Sequence, residues 1–298
     1  MADAATFGPV VIGYDGTPSG QDALALGGSF ARALGVNAIV AVVHPGPAPI
    51  GIARVDAEWV ADRHRLAEEI LDEARQASPG ADDTAGYRIV ASPSAAHGLH
   101  DLAEETGASL VVVGSRSTGP EERLFAGSTA DRLLSGSSCP VAIAPVGARN
   151  RQLDKLDRIG VAYIDTPEAH HALDLAVRMA QASGASLRLL TVVPGEAEVM
   201  PLFVGAESER TYVQAARETY RTALDHALAG VPPQVRATGE VLTGEAVETL
   251  AELGPDEGDA LVCGSRGYGP ALRVLLGGVS SRLVRRARVP VVVVPRAS

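Results

Sequence analysis

The chain repeats itself once. Val111-Val-Val-Gly-Ser-Arg116 returns as Leu261-Val-Cys-Gly-Ser-Arg266, and Cys139-Pro-Val-Ala-Ile-Ala-Pro145 returns as Val289-Pro-Val-Val-Val-Val-Pro295, both at an offset of 150 residues. Near the start of each half, Tyr14-Asp-Gly-Thr-Pro18 matches Tyr163-Ile-Asp-Thr-Pro167, and Ala23-Leu24 matches Ala172-Leu173, at an offset of 149. Solenoid repeats run to about 20–50 residues, so a period this long is a whole domain. The polar stretch Gly147 to Asp157 between the halves reads as a linker. The expected boundaries are 1–148 for the first domain, 149–156 for the linker and 157–298 for the second.

Within each half, short apolar runs alternate with helical segments. Val10 to Tyr14, Ala38 to Val43, Ser109 to Val113 and Val141 to Ala144 have strand length and β-branched content. Between them, Ser19 to Leu34 stops before Gly35 and Val55 to Ala77 stops before a Pro-Gly pair, as helices do. Alternation of this kind implies βαβ crossovers and a parallel sheet, whose strands are continuously apolar because helices cover both faces. Only 4% of residues are aromatic, so the cores are expected to be aliphatic. The fold expected is α/β: two tandem, doubly wound, parallel five-stranded sheets.

Charge and composition exclude several functions. A net charge of −10 opposes attraction to nucleic acid or to anionic lipid. No apolar run approaches the roughly 20 residues of a membrane span, and the N-terminal MADAATFGPV lacks the basic and apolar regions of a signal peptide. A soluble cytoplasmic protein is expected. Cys139 and Cys263 support neither a disulfide framework nor a zinc site and read as small buried hydrophobes. Lys155, in LDKLD, is the single lysine. That rules out a P-loop, a kinase strand lysine and Schiff-base chemistry, while HExxH, GxSxG and EF-hand patterns do not occur. His97 and His100, like His170 and His171, have no third ligand at a recognisable spacing, so no metal site is expected.

Ligands of open parallel sheets sit beyond the carboxyl ends of the strands, which singles out two loops in the first half. Tyr14-Asp15-Gly16-Thr17-Pro18 closes the first strand and opens a helix. Asp15 there can accept from a ribose hydroxyl or an adenine amine, or Asp15 or Thr17 can simply cap the helix ahead of Pro18. The second loop runs from Gly114 through Arg116 and Ser117 to Gly127, Ser128 and Thr129. Its glycines allow close backbone approach, and Ser128, Thr129 and the first N–H groups of the next helix form an anion cradle.

The spacing Gly, two residues, Gly, nine residues, Gly and then Ser or Thr, together with an Asp ending the first strand and the tandem duplication, resembles the universal stress protein family across essentially the whole chain. The resemblance implies a cytoplasmic Rossmann-like fold related to adenine-nucleotide hydrolases, dimeric or pseudo-dimeric, in a family divided between ATP binders and non-binders. Carried over by position, it places Gly114 and Gly127 at the phosphates, Ser128 on a phosphate oxygen, Asp15 on the ribose or base and Val43 against adenine. Ser117 stands where the second glycine is expected, and would be strained if that position needs positive φ. In the second half the pattern falls on Gly264, Gly267 and Gly277, with Val192 in the place of Val43. Gly278 replaces the hydroxyl residue, Ser280 lies two positions later, and Ile164 takes the aspartate's place. Asp165 is adjacent, but a shift of one residue turns a side chain to the opposite face.

Arg282, Arg285, Arg286 and Arg288 can assist a phosphate or form a solvated helix face. The proline-rich loop from Pro45 to Gly51 can fold over a base or act as a stiff connector. The short apolar strands Val141 to Ala144 and Val291 to Val294 need covering; pairing of the two halves would do so, as the resemblance also implies, with room for a homodimer. The leading expectation is a stress-response module that binds ATP, with magnesium as counter-ion, mainly in the first half. It would sense or regulate without catalytic turnover, since no general base or nucleophile can be placed beside the loop. The alternatives are a scaffold with vestigial sites and an adenylating enzyme.

Overall fold

The computed structural model describes residues 7–46, 57–77, 86–117, 124–126, 128–151, 155–194, 206–265 and 278–295. These fall into two units, Met1–Lys155 and Leu156–Ser298.

In the first unit the chain runs β1 (Val10–Gly13), α1 (Pro18–Leu34), β2 (Ala38–Pro45), α2 (Ala57–Ala77), β3 (Gly86–Ser92), α3 (Ala95–Thr106), β4 (Leu110–Ser117), β5 (Leu124–Ala126), α4 (Ser128–Gly136) and β6 (Val141–Ala144). Five strands lie parallel in the order β3, β2, β1, β4, β6, with Ile12 in register with Val40 on one side and Val112 on the other. Their apolar runs are long because both faces are covered. Ile12 packs under α1, where a methyl added to Gly27 would come within 2.5 Å of its side chain, while the next residue, Gly13, faces Leu99 of α3. Among the described residues the core is aliphatic apart from Tyr14 and the wholly buried Phe30.

Helix boundaries follow local chemistry. Thr17 caps α1 by accepting from the Gly20 N–H at 3.3 Å, and Pro18 occupies the first turn, where its missing N–H costs nothing. Gly35 ends the helix in the left-handed region at φ 66°, which a side chain disfavours. After β6 the chain makes a 3-10 turn at Ala148–Asn150 that is fastened to α1. The buried Asp22 carboxylate accepts from the Gly147 and Arg149 N–H groups at 3.0 and 2.9 Å and from the Arg149 guanidinium at 3.0 Å. The start of the stretch read as linker is thus an integral part of the first unit.

The second unit repeats the plan as β7 (Arg158–Ala162), α5 (Pro167–Ser183), β8 (Ser186–Val193), α6 (Ala206–Ala229), β9 (Ala237–Thr243), α7 (Ala246–Ala251), β10 (Ala260–Gly264), α8 (Gly278–Val284) and β11 (Val291–Val294). Its parallel strands are ordered β9, β8, β7, β10, β11. Among the described residues, no helix is long and apolar enough to cross a membrane.

Both cysteines are buried, and desolvation pushes each thiol up to about 12. Both groups therefore stay as unreactive thiols near neutral pH. A disulfide reagent such as DTNB is expected to leave the native protein unmodified and to titrate two thiols once it is denatured; rapid reaction of either thiol in the native state would contradict the burial.

Candidate functional site

In the first unit the chain leaves β1 towards β2 and β3, then returns to the other side of β1 as β4 and β6. This reversal opens a crevice at the carboxyl ends of β1 and β4, the place where doubly wound sheets take ligands. A solvent-open pocket lies there. Its wall includes Asp15 from the end of β1, Val43 from β2, Gly114 from β4, and Ser128 and Thr129 from the start of α4. Five residues singled out from sequence, up to 114 positions apart (129 − 15), are therefore brought together.

Gly16 and Thr17 shape the turn beside the pocket. Gly16 has φ 73°, which turns the chain sharply under Ile70 and Glu73 of α2. Thr17 donates its hydroxyl and its N–H to the Asp15 carboxylate while capping α1. Asp15 therefore buttresses the cap and also lies in the pocket wall, so the two readings of this residue coexist. Beneath it, Tyr14 is buried, and its phenol is raised above its ordinary pKa by desolvation first and then by the Glu73 and Asp15 carboxylates.

The glycine-rich loop is more regular than expected. β4 continues through Arg116 and Ser117, which pair antiparallel with Phe125 and Leu124 of β5. Ser117 is thus in extended backbone, and the strain anticipated at this serine does not arise. Gly127 and the connecting residues 118–123 lie outside the described residues. Gly114 has a further role that its phosphate assignment missed. A Cβ at this position would sit 1.9 Å from the Ser19 carbonyl oxygen, so its bare backbone lets the first turn of α1 press against β4.

That packing brings further residues into the crevice. Ser19 and Gly20 of α1, Ala95 and Leu99 of α3, and Ala41 of β2 also line it. Residues from the starts of three helices, α1, α3 and α4, line it, each helix bringing the positive end of its dipole, roughly half an elementary charge. Ala41, Val43 and Leu99 make the β2 side apolar. Sequence reasoning missed Ser19 and Gly20, although a small, hydroxyl-bearing first turn after Thr-Pro was the available signal.

The corresponding positions of the second unit carry different chemistry. Ile164 stands for Asp15, Glu168 for Ser19, Ala169 for Gly20, and Gly278 and Val279 for Ser128 and Thr129. Asp165 bonds to His170 at 2.9 Å, and His170 also meets the Tyr163 hydroxyl at 3.0 Å. Asp165 is therefore engaged with α5 rather than standing in for Asp15. Val192 is 4% exposed, whereas Val43 is only half-buried. Gly264 packs against Glu168, whose carbonyl oxygen would lie 2.8 Å from an added Cβ. Ser280, the hydroxyl residue that the sequence offered two positions late, is buried and donates to the Ser265 carbonyl at 3.0 Å, because it occupies the inward place of Ala130. Gly267 and Gly277 fall outside the described residues, as does the Pro45 to Gly51 loop from residue 47 onward.

In the arginine cluster, Arg282 pairs with Glu245 at 3.3 Å and Arg286 with Glu248 at 3.4 Å, which ties α8 to the start of α7.

Two doubly wound parallel sheets, the first with a polar-and-apolar crevice at its switch point, define a tandem Rossmann-like α/β protein. The Universal stress protein family pattern matches residues 6–145 and again 155–295, and the chain belongs to that family. Universal stress protein Rv2319c of Mycobacterium tuberculosis is similar along its whole length, 31% identical over 293 residues that cover 96% of this chain and 99% of the relative. Universal stress protein Rv1996 of the same organism is 36% identical over 146 residues, covering 44% of this chain and 45% of its own. Among solved structures, a universal stress protein from Archaeoglobus fulgidus has the same fold, with a TM-score of 0.66 at 19% identity over 99% of both chains.

Proposed function

We propose that the first unit binds an adenine nucleotide, ATP with magnesium as its counter-ion, and that the protein is a cytoplasmic stress-response module that senses or regulates rather than turns over its ligand. The observation that carries this reading is the convergence of three helix starts, the Asp15 carboxylate and an apolar β2 flank on one crevice. The residues present fit the group. Asp15 would accept from ribose hydroxyls, Val43 and Leu99 would cover the base, and Ser128, Thr129 and the first N–H groups of α4 would receive phosphate oxygens. Among the described residues the crevice wall brings no histidine, cysteine or lysine, in keeping with binding without turnover.

The second unit is proposed to be the non-binding half. Glu168 and Asp165 add carboxylates where a polyphosphate would need donors, and Ile164 cannot accept from a ribose. One nucleotide per chain is the expected stoichiometry.

Calorimetric titration of ATP and magnesium into nucleotide-stripped protein tests this directly. The wild type is expected to bind close to one equivalent. Asp15→Ala should weaken binding roughly 10- to 100-fold, the worth of a hydrogen bond to a charged group, while Asp165→Ala should leave it unchanged. No heat, with no nucleotide released on denaturing the purified protein, would point instead to a scaffold with vestigial sites, a reading that the altered second unit already favours for that half.

A further inference from the structure

We infer that Asp22 and Arg149 are positioning residues for the crevice, and that through them occupancy of the first unit is communicated to the segment leading out of it. This rests on the nucleotide reading above. The first turn of α1 is held from two sides. On one, the Ser19 carbonyl lies against Gly114, which is itself in the crevice wall. On the other, the Arg149 guanidinium donates to the Pro18 carbonyl at 3.0 Å and to the Asp22 carboxylate at 3.0 Å. Ser19 and Gly20, between these restraints, line the crevice.

The staple has the construction of a specific device. Asp22 is 1% exposed and spends both carboxylate oxygens on the connector, one on the Arg149 N–H and the other on the Gly147 N–H and the guanidinium. Gly147 to Asn150 follow β6 after Pro145 and Val146, ahead of the boundary at Lys155. In the second unit His171 stands at the place of Asp22, and an imidazole cannot accept three N–H bonds as a carboxylate does. The device thus belongs to the unit that carries the crevice.

A ligand held by the first turn of α1 and a connector clamped to the same turn share one rigid element. Whatever the ligand gains from a fixed first turn, the clamp gains from a bound ligand, by the same factor. The coupling needs no large movement; it needs only that the turn be more ordered in the bound state.

Hydrogen exchange at the Gly147 and Arg149 amides, followed with and without ATP and magnesium, together with nucleotide affinities of Arg149→Met and Asp22→Asn, tests this. Nucleotide is expected to slow exchange at both amides. Arg149→Met should weaken nucleotide about tenfold, within the usual range of such couplings, and abolish the nucleotide-dependent protection. Arg149→Lys should recover part of each, and Arg188→Met, in β8 of the second unit, should change neither. Since Asp22→Asn can fail to fold, Arg149→Met decides the matter. Wild-type binding with exchange at these amides indifferent to nucleotide, or Arg149→Met binding as tightly as the wild type, overturns the coupling and leaves the proposed function standing. No nucleotide binding by the wild type overturns both.

Discussion

Replacing Gly114 with alanine is expected to destabilise the first unit by about 3 kcal/mol, the upper range for overpacking, with a clear fall in its denaturant midpoint. The reason is backbone contact: a Cβ there would lie 1.9 Å from the Ser19 carbonyl oxygen and 2.5 Å from its carbon. Neither atom belongs to a flexible side chain, so α1 must lift from β4. Gly264→Ala repeats the experiment where the nearest atom, the Glu168 oxygen, is 2.8 Å away, and about 1–2 kcal/mol is expected there. Equal and small effects at the two positions would mean that the glycines do not set the helix-to-strand distance. If Gly114 served only to admit a phosphate, its substitution would reduce binding and leave the unfolding midpoint alone.

Asp22→Ala is expected to be comparably damaging, about 3 kcal/mol, because two backbone N–H groups lose a buried, charged acceptor. The Gly147 and Arg149 amides would lose their acceptor at once, while the Arg149 guanidinium would keep only the Pro18 carbonyl. Asp22→Asn keeps the shape and one acceptor oxygen, and should cost about 2 kcal/mol. The measurement is equilibrium unfolding followed by helical circular dichroism. A cost under about 0.5 kcal/mol for the alanine variant, the level of a surface substitution, would show that water replaces the carboxylate freely.

The fold was legible because its determinants are local and repeated. The runs at Val10, Ala38, Leu110 and Val141 are apolar without alternation, and the duplication states each of them twice. β5 was not legible: at Leu124–Ala126 it is a short ribbon paired only to the extension of β4, with no periodicity to betray it. Of the crevice, the strand-end and helix-start residues Asp15, Val43, Ser128 and Thr129 could be placed because strand order dictates where the crevice opens. What could not be read was proximity between elements. Ser19 enters the crevice only because Gly114 lets α1 approach, and in the second unit Ser280 is spent on the Ser265 carbonyl because α8 turns that position inward. A one-dimensional motif counts a hydroxyl two residues late as a near miss, whereas on a helix two residues are just over half a turn and the hydroxyl meets a different neighbour.

The single lysine has a practical consequence for dissecting this molecule. Lys155 is exposed and is the last residue of the first unit, so the Lys155–Leu156 bond lies on the boundary itself. Lysyl endopeptidase therefore has one cleavage point in all 298 residues, and it severs the halves without cutting inside either. Comparing the intact chain with the cleanly bisected one isolates what covalent continuity contributes to folding cooperativity and to ligand uptake, with every side chain of both halves left in place.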